Sequence, residues 1–270
     1  MAESGWRAWS SLPADWAARK EVLVTRDPYS DQVVSIIDRL DGVTRAYTLD
    51  DPTAVAMWTP GRRLLLGGMG AEAAVKLAHF LADEPLIGVA GYQPEVEAFR
   101  EAAERLRGIL ASAAHHLIFH ELGALVPPRP CAGRSRRATL NDTALLLDWH
   151  LAFGAEADPS APKRTEDQVR MAIAQRALWI WETEADGPVS FAGLWWAGAT
   201  GSRIGPVYTP PEQRGRGYAS ALVHACADHG GRVGRCTLFT NADNPTSNAI
   251  YRALGFEPGR RFQEWDFPAG

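Results

Sequence analysis

The chain has 270 residues, 46% of them hydrophobic and 22% charged, with a formal net charge of −4. That is the composition of a globular protein, long enough for one large or two ordinary domains, and its slight acidity offers no global attraction for nucleic acid or an anionic membrane. No run approaches the eighteen or so apolar residues of a membrane span, MAESGWRAWSSLPADW has no apolar stretch behind a basic start, and Cys131, Cys226 and Cys236 neither complete a disulfide framework nor show C-x-x-C spacing, so the expectation is a cytoplasmic chain with reduced thiols and no bound metal.

In chain order, residues 1–130 read as a mixed α/β domain. Asp31 to Leu40 carries a helical stripe of Val33, Val34, Ile36, Ile37 and Leu40. Arg63 to Leu66 reads as a strand ending in Gly67-Gly68-Met69-Gly70, followed by a helix over Ala71 to Leu81 and a strand over Leu86 to Ala90. Pro94 opens a long helix to about Leu110, with Glu95 and Glu97 in its first turn, and His115 to His120 reads as a strand, so His116 and His120 are expected in a structural role. Residues 123–138, GALVPPRPCAGRSRRA, are rich in Pro, Gly and Arg without periodicity and read as a linker whose Arg134, Arg136 and Arg137 either face solvent or meet a phosphate.

A second domain, 131–270, then opens with Thr139 or Asn141 capping a helix through Phe153 and a Thr165-x-x-Gln168 capping box starting another through Arg176. Leu178 to Thr183 and Val189 to Trp196 read as strands of a hairpin across Ala185-Asp186-Gly187. The strand ending at Val207, Tyr208 and Thr209 is stopped by Pro210-Pro211 and leads into RGRG, where Gly215 and Gly217 open a helix from Tyr218 to about Asp228, closed by Gly230-Gly231. A strand over Cys236 to Thr240, a helix over Ser247 to Leu254 and a last strand over Arg261 to Phe267 complete the reading.

The free N–H groups and positive dipole end of the helix at Tyr218 make an anion site, and Arg214 and Arg216 beside it have the fork geometry that suits phosphate. No Gly-Lys-Ser/Thr follows, and G-x-G-x-x-G is not completed. Arg214-x-x-Gly217-x-Ala219 after a strand resembles the acyl-coenzyme A pyrophosphate loop, Q/R-x-x-G-x-G/A, of the GNAT N-acetyltransferase superfamily. Asn244 in NPTSNAIY, with Tyr251 and Leu254-Gly255-Phe256, is similar to that family's N-x-x-A-x-x-x-Y-x-x-x-G-F signature, with Ser247 in place of alanine and Asn248 beside it.

The resemblance covers about half the chain. It implies an α/β fold with a mixed sheet: a GNAT-like acyl-CoA-binding fold at the C-terminus, preceded by a second α/β domain that is either a degenerate GNAT-like half or an unrelated run of βαβ units. It implies acetyl-CoA as cofactor, held at Val207, Tyr208, Thr209, Arg214, Gly215, Arg216, Gly217, Tyr218, Ala219, Asn244, Ser247 and Asn248, with the pantetheine arm in a gap between strands and Tyr251 beside the departing sulfur. In the family the helix over 142–153 lines the acceptor pocket, so Trp149, His150, Phe153 and Glu156 are either an amine-binding wall or core with a solvated carboxylate.

Neutralising an amine of lysine-like pKa at pH 7 costs about 4.6 kcal/mol. Glu182, Glu184 and Glu212 are candidates to take that proton, but each is as readily a solvated surface residue, and the residues do not single out a base. Two functions are carried forward: an N-acyltransferase moving acetyl to a primary amine by direct attack, or a non-catalytic acyl-CoA-binding module. The acceptor, the acyl-chain length and the choice of monomer or dimer stay open.

Overall fold

The computed structural model describes residues 5–38, 42–49, 54–157, 159, 163–197 and 201–268. Contacts divide the chain into two units, one of Met1–Phe119, Asn241–Asp243 and Arg260–Gly270, the other of His120–Thr240 and Asn244–Gly259.

The first unit runs β1 (Trp6–Trp9), α1 (Trp16–Arg26), α2 (Asp31–Ile37), β2 (Arg45–Leu49), β3 (Val55–Trp58), β4 (Leu64–Leu66), α3 (Ala71–Phe80), β5 (Gly88–Tyr92) and α4 (Glu95–Arg107), and β6 (Ser112–Leu122) carries the chain into the second unit. β1 to β4 pair antiparallel in sequence, β4 and β5 pair parallel, and every residue of β3 and β5 is buried, which is why these strands read as continuous small and apolar runs. Its core joins Tyr47, Trp58, Leu64, Leu66, Leu77, Val89 and Phe99.

The far edge of β5 is covered by residues from the end of the chain. β12 (Phe256–Asp266) pairs antiparallel with it, Phe262 opposite Tyr92 and Asp266 opposite Gly88. Phe262, Gln263 and Phe267 are buried there. The Arg63 guanidinium donates to Glu264 at 2.9 Å and to Asp266 at 2.7 and 3.1 Å.

The second unit repeats the order: β7 (Arg134–Arg137), α5 (Thr143–Ala157), α6 (Glu166–Ala174), β8 (Leu178–Thr183), β9 (Gly187–Ala197), β10 (Gly201–Tyr208), α7 (Tyr218–Gly231), β11 (Arg235–Asn241) and α8 (Pro245–Ala253). Its strands lie in the order β11-β10-β9-β8-β7. One core joins Leu194, Leu222, Cys226, Leu238 and Phe256; another joins Leu146, Trp149, Val169, Ile180, Phe191 and Tyr208.

Four differences from the sequence reading have physical causes. The expected linker contains β7, paired antiparallel with β8, because its arginines find partners: Arg136 binds Asp142 and Glu182, and the Arg137 guanidinium lies 4.0 Å from the Trp179 ring centre. α4 stops at Arg107 because Gly108, at φ 64°, forms a left-handed cap. α7 runs through Gly230, where a stop was expected; that glycine is a packing residue, since a β-carbon on it would collide with Ser202 and touch Leu194. β12 begins at Phe256, five residues before the expected start. The expected end of the second helix at Leu40 lies outside the described residues.

Candidate active site

β10 and β11 run parallel with paired register from Gly201↔Arg235 to Ile204↔Leu238. Beyond that register the β10 backbone shifts against β9 between Ile204 and Val207, and Val207, Tyr208 and Thr209 line a cleft of about 670 Å³. Ser190, buried in the middle of β9, holds this strand end: its hydroxyl donates to the Tyr208 carbonyl at 2.9 Å and accepts from the Thr209 hydroxyl at 2.9 Å. A polar residue inside the apolar run VSFAGL is the only sequence signal for it.

The next wall is the entry to α7. Gly215 and Gly217 have φ of 78° and 86°, a backbone that side chains rarely adopt, and Gly217 caps the helix. The first intrahelical bond runs from Ala221 N–H to the Gly217 carbonyl, so the amides of Tyr218, Ala219 and Ser220 have no partner within the helix, and all three residues line the cleft. No atom lies within 4 Å of where a β-carbon on Gly215 would project. The loop therefore has the open, donor-rich shape of an anion cradle.

α8 forms the opposite wall. Asn244 caps it, accepting from the Ser247 amide at 3.0 Å, and Pro245 occupies the first turn. Thr246, Ser247, Ile250 and Tyr251 face the cleft. Asn248 does not; it is buried, donating to the Asn244 carbonyl at 2.8 Å and accepting from the Thr240 hydroxyl at 2.5 Å. Thr240 also meets His120 Nε2 at 3.2 Å, and burial pushes the His120 imidazole below its usual range. Burial pushes the Tyr251 phenol up to about 12, with its ring 6.1 Å from Phe256 and 6.5 Å from His120.

α5 closes the cleft with Phe153, Glu156 and Ala157. Trp149 and His150 instead lie in the core, Trp149 stacked on Phe191 at 6.1 Å and His150 against the same ring at 4.6 Å. Burial drives the His150 imidazole down to about 4, so it is neutral near pH 7. The charged residues pair across the site. The Arg214 guanidinium reaches both Glu156 oxygens at 2.9 and 2.7 Å and donates to the Thr209 carbonyl at 2.8 Å, while Arg216 meets Asp186 at 3.4 Å. The Arg214–Glu156 pair is about half exposed and so is weakly held against a competing anion.

The cleft thus brings together Val207, Tyr208, Thr209, Arg214, Gly215, Gly217, Tyr218, Ala219, Asn244, Ser247 and Tyr251 with Phe153 and Glu156; Arg216, Asn248, Trp149 and His150 are not among its lining residues. Ser220, Thr246, Ile250 and Gln213 join it without having been singled out in the sequence. Among the described residues, no helix is long and apolar enough to cross a membrane.

Residues 144–256 match the model of the acetyltransferase (GNAT) family. The sequence matches no curated protein. Among solved structures, the fold is similar to a Drosophila protein (TM-score 0.71, 14% identity, 97% of this chain and 98% of that one) and to a GCN5-related N-acetyltransferase from Sphaerobacter thermophilus (0.64, 16%, 98% and 96%). It is also similar to a tandem GNAT protein from the clavulanic acid biosynthesis pathway (0.61, 12%, 98% of both chains). The chain has the GNAT fold, and the likeness extends over both units.

Proposed function

We propose that this chain, with a GNAT fold throughout and the family's model matched over 144–256, is an acyl-CoA-dependent N-acyltransferase that moves acetyl from acetyl-CoA to a primary amine by direct attack. The observation that supports the reading is the cleft itself, whose lining includes both the glycine-opened N-terminus of α7 and Tyr251.

The residues fit the group. Tyr218, Ala219 and Ser220, whose amides have no partner within the helix, line the cleft with Arg214, and no atom lies within 4 Å of a β-carbon on Gly215. Val207 to Thr209 offer backbone along which an amide-bearing arm pairs as a strand would. Bound acetyl-CoA would supply an activated acyl thioester. Tyr251 would donate a hydrogen bond to the sulfur position as negative charge develops there. Glu156, the carboxylate among the cleft's lining residues, is held by Arg214 and would become available to a protonated amine only as Arg214 turns to a bound phosphate.

Gly217→Glu tests the cofactor half of this reading. It forces a side chain into the left-handed backbone and sets negative charge at the cradle, so acetyl-CoA affinity should fall about 100-fold or more in titration calorimetry. Undiminished affinity would remove the basis for the assignment. The catalytic half is tested by thiol release from acetyl-CoA across a panel of amines; tight binding with no release from any amine would leave a binding module.

A further inference from the structure

Residues 120–126 bracket α8, the helix that carries Tyr251. Near the start of the helix, Thr240 of β11 links the buried imidazole of His120 to Asn248. At its end the Gly123 amide donates to the Gly255 carbonyl at 2.9 Å, and the Val126 amide to the Leu254 carbonyl at 3.0 Å. We propose that His120, which is not among the cleft's lining residues, is a positioning residue for Tyr251, an inference that rests on the acyl-transfer reading of the cleft.

Proton counting leaves the link one arrangement. A carbonyl only accepts, so the Asn248 group that meets the Asn244 carbonyl at 2.8 Å is its NH2, and the group that meets Thr240 is its oxygen. That oxygen takes the one proton of the Thr240 hydroxyl, so the contact of 3.2 Å between Thr240 and His120 is closed by a proton on Nε2. Nδ1 of the neutral imidazole is then a bare lone pair, buried and without a hydrogen-bond partner among the described residues. A half-satisfied polar group in the interior is destabilising relative to an apolar side chain of similar size, so packing does not explain a histidine here. Its directed bond to Thr240 does.

α8 has nine residues, and Ile250, Tyr251 and Leu254 pack it on the core around Leu238 and Phe256. Such packing is non-directional, whereas a hydrogen-bonded tie has a fixed length and a fixed line. Asn248 precedes Tyr251 by three residues, so both stand on one face of the helix, and a tie at Asn248 fixes the direction of the phenol as well. The imidazole itself is centred 6.5 Å from the Tyr251 ring. Close approach makes the far end equally definite, since a β-carbon on Gly255 would collide with the Ala124 carbonyl. Held at both ends by one stretch of chain, α8 presents Tyr251 at one place in the cleft, where a displacement of about 1 Å would weaken a bond made in the transition state.

Thiol release from acetyl-CoA, with the fastest amine of the panel, tests the assignment in the full chain. His120→Leu and Thr240→Val break the tie and should each lower kcat about tenfold, with KM for acetyl-CoA within about twofold of wild type. Thr240→Val, nearly unchanged in volume, carries the same prediction should His120→Leu fail to fold. His120→Gln keeps an N–H donor for Thr240 and should recover most of the lost rate. In the Tyr251→Phe background His120→Leu should cost nothing further, because a residue that acts through the phenol has nothing left to place. Wild-type kcat in His120→Leu and Thr240→Val, a glutamine no better than leucine, or an undiminished loss in the Tyr251→Phe background would overturn the assignment and leave the acyl-transfer reading standing. A wild type that releases no thiol with any amine would overturn both.

Discussion

At Tyr251 the burial that raises the phenol to about 12 decides which role is open to it. Against a thiol of about 8.5, complete proton transfer to the departing sulfur is uphill by about 5 kcal/mol, so the phenol serves as a hydrogen-bond donor that keeps its proton. Tyr251→Phe should lower kcat roughly 100-fold with KM for acetyl-CoA and the melting temperature nearly unchanged. A variant with wild-type kcat, or one whose activity falls only as its melting temperature falls, would make Tyr251 a packing residue. The tyrosine and Asn244 were legible because their spacing is local to one helix. Ser190, Thr240 and His120 were not: each acts on a residue distant in sequence, and a lone polar residue in an apolar strand does not announce its partner. Trp149 and His150 could not be told from Phe153 and Glu156 because α5 is apolar around much of its circumference, Leu145, Leu146 and Leu147 in succession, so periodicity does not define its buried face.

Among the elements, β7 is the one whose sequence conceals it. RSRR has neither alternation nor β-branched residues, and it becomes a strand through ion pairs that only the folded chain supplies. Arg136 donates to both Asp142 oxygens at 2.8 Å, and Asp142 also accepts from the Thr139 amide at 2.7 Å, tying the edge strand to the turn before α5. The Arg136 guanidinium, aided by that amide, holds the Asp142 carboxyl down at about 2, below an unfolded value near 3.9. Stabilisation from a lowered carboxylate is complete above the unfolded value and disappears as pH falls through the folded one. Asp142→Asn should therefore cost about 2 kcal/mol at pH 7, with the gap from wild type narrowing between about pH 4 and pH 2. Urea midpoints at about pH 7 and pH 2.5 measure it, and a gap that does not narrow would show that the loss comes from packing instead. The capping box at Thr165 and Gln168, by contrast, was readable because both members lie within one turn.

Across the whole molecule, the same order of strand, two helices, three strands, helix, strand and helix occurs in both units, yet among the described residues the open cradle belongs to the second. In the first unit the loop between β4 and α3 is filled by its own chain. The Gly68 amide donates to the Ser30 hydroxyl at 3.0 Å, and a β-carbon on Gly68 would collide with the Asp27 carboxylate. Asp27, paired with Arg260 at 3.6 Å, fills the space that the second unit's loop leaves open, so acetyl-CoA should titrate to one equivalent per chain; two equivalents would show that Asp27 gives way. The GGMG run was legible as a strand-to-helix loop, but its plug was not, since Asp27 and Ser30 lie some forty residues earlier. The covering of β5 by β12 reaches further, into biogenesis. Gln93 and its partner Gln263 are 170 residues apart, and β5 is buried along its length once that partner strand is in place. On a ribosome adding about 5–20 residues per second, the first unit waits on the order of ten seconds with an unpaired apolar strand edge before the residues that cover it are made. The edge of β5 thus stays open until Phe262–Asp266 have been made, an interval in which the nascent chain is exposed to mispairing that the folded unit is spared.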